Sequence, residues 1–220
     1  MTGTFISLEG IDGCGKSTQL ALLRDALGSA GHSVVLVREP GGTALGESVR
    51  SLLLDSPDGT VGARAEALLY AASRAQLVDQ VIEPALAAGA IVLADRFVDS
   101  TVAYQGGGRQ LGTAAMEQLN ALATAGRMPD ATILVEVDAA AAAGRRSATG
   151  EPADRIERAG DAFFDRTAAA FAELARSEPH RIHVIDGSGT PEQVHARIRR
   201  ALAPLELLPT HSANLAGTDG

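Results

Sequence analysis

The chain has no tryptophan, one cysteine, one lysine and only 3% aromatic residues, and each shortage excludes something. A lone cysteine, Cys14, rules out a disulfide within the chain and suits a reducing, cytoplasmic setting. Two tyrosines and five phenylalanines cannot fill the core of 220 residues, so Leu, Val, Ile and Ala must do so, and a tyrosine inside a motif carries information. Cations are in the minority, 19 against 27 acidic residues for a formal charge of −8, whereas a duplex-binding protein needs clustered Lys and Arg; nucleic acid is not an expected partner. Long apolar runs are missing as well. The longest, Ala85 to Ala94, is too short to span a bilayer, and the N-terminal run lacks a basic lead and is broken by Glu9, so neither a membrane span nor a signal peptide is expected.

The single lysine sits in Gly10-Ile11-Asp12-Gly13-Cys14-Gly15-Lys16-Ser17, an ungapped match to the G-x-x-x-x-G-K-[ST] phosphate-binding loop. An apolar run, Thr4 to Leu8, precedes it and a helical pattern, Thr18 to Leu23, follows, which is the strand–loop–helix context the motif needs. Glycines let the backbone curl so that amide N–H groups and the helix N-terminus face an anion. Lys16 then bridges the β- and γ-phosphates of a nucleoside triphosphate and the Ser17 hydroxyl holds Mg²⁺; the nucleotide-contacting set is Gly10 to Ser17 with Thr18. Asp12 is out of place in a loop built for anions, and either a metal, a sugar hydroxyl or plain solvent must account for it. Every other basic side chain besides Lys16 is arginine; a composition bias explains the overall excess, but planar, bidentate phosphate recognition is what arginine does best.

Four further short apolar runs, Ser33 to Val37, Ala90 to Ala94, Ala131 to Val137 and Arg181 to Ile185, alternate with helical patterns at Leu45 to Leu54, Ala63 to Ala88 and, capped by Thr190-Pro191-Glu192-Gln193, near the C-terminus. Continuous rather than alternating apolar strands separated by helices predict an α/β protein: a three-layer P-loop nucleoside-triphosphate-binding fold around a five-stranded parallel sheet. One domain is expected over residues 1–205, with 206–220 a disordered tail. Ligands in such folds gather at the C-terminal strand ends, where Asp12 to Ser17, Arg38-Glu39-Pro40-Gly41-Gly42 and Asp95-Arg96 all fall.

A phosphate loop alone fits kinases, GTPases and motors, and no N-K-x-D run is present to read guanine. Taken with Arg38 to Thr43, Leu68 to Leu77, Asp95 to Arg109 and Asp154-Arg155-Ile156-Glu157, it closely resembles the bacterial thymidylate kinase family, in order from about Phe5 to about Leu202. That resemblance implies Mg²⁺-dependent phosphoryl transfer from ATP to dTMP by a cytoplasmic homodimer. It assigns Glu39, Pro40, Arg50, Tyr70, Arg74, Arg96, Ser100, Tyr104 and Gln105 to dTMP: Tyr70 to stack on thymine, Arg74 to donate to a thymine carbonyl, Arg50 to hold the monophosphate. Asp95 joins Ser17 around the metal, while Lys16, Arg96 and Asp12 serve the transfer itself. A core tyrosine at 70, a surface arginine at 74 or a strand-capping Asp95-Arg96 pair would look the same in sequence.

Gly13 stands where eukaryotic members carry an arginine, so the resemblance assigns that charge to a lid over about 143–157. Arg145, Arg146 and Arg155 are its candidates, and the segment carries one apparent extra residue before Asp154 that leaves the choice among them open. Another nucleoside or nucleotide kinase of the same fold, or a non-catalytic nucleotide switch, are the competing readings.

Overall fold

The computed structural model describes residues 3–138, 141, 142, 144, 145 and 154–209. Five strands, β1 (Thr4–Glu9), β2 (Val34–Arg38), β3 (Ile91–Asp95), β4 (Ala131–Glu136) and β5 (Ile182–Asp186), form one sheet in the order β2-β3-β1-β4-β5. Every pairing is parallel, as the continuous apolar strands require. Strand side chains feed three apolar clusters, the third taking Leu134 and Ile182. On one face Ile6, Leu8, Ile91, Leu93 and Ile133 pack with Leu20, Leu23 and Leu27 of α1 (Lys16–Ser29) and with residues of a C-terminal helix, Pro191–Ala201. On the other, Phe5, Val92 and Ala94 meet Leu77, Val78, Ile82 and Leu86.

The helical stretch expected over Ala63 to Ala88 is not one regular helix. It runs as α3 (Ala63–Leu77), a π-helical turn at Val78–Ile82 and α4 (Glu83–Ala87), after α2 (Ala44–Leu54). Pro84 is the reason: it has no N–H to donate and its ring crowds the carbonyl four residues back, so the preceding turn widens. A second wide turn, Val102–Gly108, continues α5 (Val98–Thr101) beneath the cleft. It can lie against α7 (Asp161–Ser177) because it is glycine-rich: a Cβ on Gly107 would sit 2.6 Å from the Ala170 Cβ, and one on Gly108 2.5 Å from the Phe163 ring. Between them α6 spans Thr113–Thr124, and the last long helix, α8, is Pro191–Ala201 with the expected capping box at Thr190 and Gln193.

Leu207 and Leu208 pack on the α1–α8 core and the Leu207 carbonyl lies 2.8 Å from His32 Nε2, beyond residue 205 where the sequence reading ended the domain. Residues 210–220 of the expected tail lie outside the described residues.

Candidate active site

The C-terminal ends of β1, β2 and β3 open into a cleft of about 1020 Å³, with the phosphate loop on one side and α2 and α3 on the other. Gly10, Gly13 and Gly15 have φ of 132°, 83° and 103°, values that side-chain-bearing residues rarely adopt, so the loop can form only with glycine there. Lys16 Nζ donates to the Gly10 carbonyl at 3.0 Å and the Ile11 carbonyl at 3.2 Å, and lies 3.9 Å from Asp12 Oδ1, so the loop itself holds the ammonium over its own mouth. Ser17 and Thr18 are exposed on the first turn of α1 and line the cleft. Cys14 is buried and its thiol packs at the sheet edge of the loop.

Arg96 joins the two sides. Its backbone takes φ 70°, which turns the side chain from the end of β3 into the cleft. There the guanidinium donates to Asp12 Oδ1 at 2.7 Å, Ser100 Oγ at 3.0 Å and the Tyr104 hydroxyl at 3.2 Å, and it lies over the Tyr104 ring at 4.9 Å. Asp12 therefore has a cationic neighbour on either side, which answers the question its presence in the loop raised.

Beneath Arg96 lies a group the sequence reading passed over. Glu9, the last residue of β1, is 0% exposed and accepts from the Phe97 N–H at 2.7 Å and the Ser100 hydroxyl at 2.6 Å. Burial pushes its carboxyl up to about 7, Asp99 adds to the rise, and Arg96 with the two hydrogen bonds opposes it. An acid closing an apolar strand directly before a phosphate loop was the available signal. Because the folded-state value lies above the ordinary 4.5, the unfolded chain ionises first, and Glu9 favours folding most at acid pH. The stability of the wild type relative to Glu9→Gln is thus expected to fall as pH rises from 4.5 to about 7 and to level off beyond. Urea unfolding of both proteins across that range checks it, and a difference that is flat or rising with pH would contradict the shifted carboxyl.

The side of the cleft opposite the phosphate loop is built on Glu39-Pro40, with Arg50 Nη1 donating to the Pro40 carbonyl at 3.0 Å and Tyr70 half-buried in the lining. Burial raises the Tyr70 hydroxyl well above its ordinary range, so it stays neutral. Arg74 departs from expectation. It is 1% exposed, and all five of its N–H groups are engaged: with Glu39, with Thr101 Oγ1 at 2.8 Å, with Asn120 Oδ1 at 2.7 Å and with the Phe97 carbonyl at 3.1 Å. A base carbonyl could be served only by giving up one of these. Arg74 is therefore first the partner that lets Glu39, whose carboxyl burial pushes up, sit beside the cleft. Ser100, Tyr104 and Gln105 do line it, although Gln105 turns its amide nitrogen to Glu66 at 2.8 Å.

The three arginines assigned to a lid separate. Arg145 reaches the phosphate loop, its Nη1 donating to the Cys14 carbonyl at 3.2 Å and Nη2 to the Gly187 carbonyl at 3.3 Å. Arg155 does not: it is 6% exposed, donates from Nε to the Leu53 carbonyl at 2.7 Å and pairs with Glu66 Oε2 at 2.7 Å. The structure thus brings it not to the phosphate loop but between α2 and α3, where its guanidinium is engaged by protein oxygens. Arg146 lies outside the described residues.

Among the described residues no cluster of three or more His, Cys, Asp or Glu is poised for a metal. Ser17 and Asp95, at the start of α1 and the end of β3, contribute a hydroxyl and a carboxylate to the lining of the same cleft. Such a sparse, all-oxygen pair fits Mg²⁺, which keeps most of its waters and takes one or two protein ligands beside substrate phosphates.

A family model described as thymidylate kinase matches residues 8–198. The thymidylate kinase of Clavibacter sepedonicus is 49% identical over 199 residues, 90% of this chain and 94% of its own, and that of Rhizorhabdus wittichii is 47% identical over 95% and 100%. In structure, the thymidylate kinase of Ehrlichia chaffeensis superposes with a TM-score of 0.75 at 34% identity, covering 92% of this chain and 100% of its own. A match that takes in the phosphate loop, the Asp95-Arg96 strand end and the Asp154–Glu157 turn together places the chain in the thymidylate kinase family.

Proposed function

We propose that this chain transfers the γ-phosphoryl group of ATP to dTMP, giving ADP and dTDP. The observation that carries the reading is Arg96, set between a phosphate loop bearing Lys16 on one side and a pocket bearing Arg50 and Tyr70 on the other. ATP lies with its phosphates on the loop amides, where Lys16 leaves the Gly10 and Ile11 carbonyls to meet the β- and γ-oxygens. Arg50 holds the acceptor's phosphate from α2, and Tyr70 offers a flat face to the base. Arg96 then faces the oxygens that carry charge as the phosphoryl group moves, with Asp12, Ser100 and Tyr104 fixing its orientation beforehand. The acceptor atom is already an anionic oxygen, so transfer needs alignment and charge neutralisation rather than a strong general base. Ser17 and Asp95 would hold Mg²⁺, which when bound neutralises phosphate charge.

The reading extends to a cytoplasmic homodimer. The lone cysteine supports the first, and exposed Leu68 and Leu122, on the adjoining helices α3 and α6, are apolar surface that a second copy would cover, for which light scattering is the test. Among the described residues no helix is long and apolar enough to cross a membrane. A panel of nucleoside monophosphates offered with Mg-ATP, read by ADP release, tests the activity: dTMP is expected to be the preferred acceptor, and faster turnover of another nucleotide overturns the assignment.

A further inference from the structure

Glu66 stands behind the acceptor side of the cleft, one helical turn before Tyr70, and is 0% exposed. Its carboxylate gathers side chains from two distant segments. Oε1 accepts from Gln105 Nε2 at 2.8 Å and from Arg109 Nε at 3.1 Å, while Oε2 accepts from Arg109 Nη2 at 3.1 Å and pairs with Arg155 Nη2 at 2.7 Å. Burial pushes this carboxyl up, but the hydrogen bonds from Arg109 and Gln105, the charge of Arg109 and the nearby Arg155 outweigh it and hold it below the ordinary range. It is thus an ionised group with two cations, closed off from water.

What the carboxylate joins gives it a role. Its own helix carries Tyr70, and the wide turn at Val102–Gly108 carries Tyr104 and Gln105. The turn that holds Arg155 sends Asp154, Ile156 and Glu157 into the cleft lining, and through its Nε bond to the Leu53 carbonyl the same arginine reaches α2, one turn beyond Arg50. Arg109 is steadied in turn by the Phe163 ring of α7, 4.6 Å away. The phosphate loop is held by different partners, its own carbonyls and Arg145.

We infer that Glu66 is a positioning residue for the acceptor nucleotide: it fixes the mutual placement of the segments that bear Arg50, Tyr70, Tyr104 and the Asp154–Glu157 turn, without touching the nucleotide itself. The inference rests on the reading of that side of the cleft as the dTMP site. Loss of its charge leaves two guanidinium groups partly uncompensated and frees those segments to shift by fractions of an ångström, which weakens acceptor binding and leaves the ATP side in place.

Glu66→Gln and Glu66→Asp test it in the full-length enzyme, with KM and kcat for both substrates, dTMP affinity by calorimetry and a thermal melt. Glu66→Gln is expected to raise KM for dTMP at least about tenfold while KM for ATP stays within about twofold, and Glu66→Asp, which keeps the charge, to recover part of the loss. A purely structural carboxylate would lower the melting temperature and the active fraction but leave both KM values unchanged, and that result overturns the inference. If Glu66→Gln does not fold, Arg109→Gln removes one arm from a partly exposed position and leaves the Arg155 pair; a selective rise in KM for dTMP of about threefold is expected, and equal changes for both substrates overturn the inference. Failure of the wild type to bind dTMP would overturn the underlying assignment as well, whereas wild-type binding with unchanged affinity in the variants overturns this inference alone.

Discussion

Lys16→Ala is expected to lose about a thousandfold or more in turnover while the fold survives. The side chain leans on the Gly10 and Ile11 carbonyls and meets the hydrophobic core only at the Cys14 thiol, 3.9 Å away, so its removal deletes charge from the phosphate site without opening a cavity among Leu20, Leu23 and Leu27. Those two carbonyls lose a donor, a loss of about 1 kcal/mol that water in the open cleft can make good. The loop's shape is secured separately by the positive φ of Gly10, Gly13 and Gly15. Steady-state kinetics with Mg-ATP and dTMP, beside a thermal melt, checks both halves of the expectation. Near-normal turnover would remove the phosphate-loop assignment, and a melting temperature lower by ten degrees or so would show the ammonium to be a structural strut instead.

The second large effect is expected at Arg145. Gly13 brings no cation to the loop, and of the described arginines proposed for the moving phosphoryl group from the 143–157 segment, Arg145 alone bonds to the loop. Its two hydrogen bonds, at 3.2 and 3.3 Å, go to backbone carbonyls of Cys14 and Gly187, and its Nη1 lies 3.7 Å from where a Cβ on Gly15 would stand, beside the amides that cradle phosphate. A guanidinium held by two neutral acceptors can turn to an anion at small cost, and it gains most when charge is greatest, in the transition state. Arg145→Ala is therefore expected to lower turnover about a hundredfold while ATP affinity changes within about threefold. Arg155→Ala should differ in kind, lowering the melting temperature and weakening dTMP, because it breaks a buried ion pair with Glu66. Kinetics with calorimetric ATP titration of both variants separates the roles: full turnover in Arg145→Ala moves the role to another cation, and a matched loss of ATP affinity makes Arg145 a ground-state anchor.

The phosphate loop, the five strands, the capped last helix and the α/β class were determined by the sequence alone, because each depends on contacts or conformations within a few residues. Glycines that take positive φ at 10, 13 and 15, a Thr190–Gln193 capping box and short apolar runs are local facts, and they read correctly without a third dimension. Even the small error in strand ends is instructive: β1, β2, β3 and β5 each continue one residue past the apolar run, to Glu9, Arg38, Asp95 and Asp186. Backbone pairing does not depend on side-chain polarity, and of the four polar residues there Arg38 and Asp95 line the cleft. Only the tertiary structure decided how charges were matched. Whether an arginine serves a ligand or a carboxylate depends on which segments the sheet order brings together, and nothing local to Arg74, Arg145 or Arg155 shows that two of them meet Glu39 and Glu66 while the third meets the phosphate loop. The same holds for Glu9, an ordinary strand end in sequence, which becomes a buried carboxylate under Arg96 only because β1 lies beside β3 at the centre of the sheet.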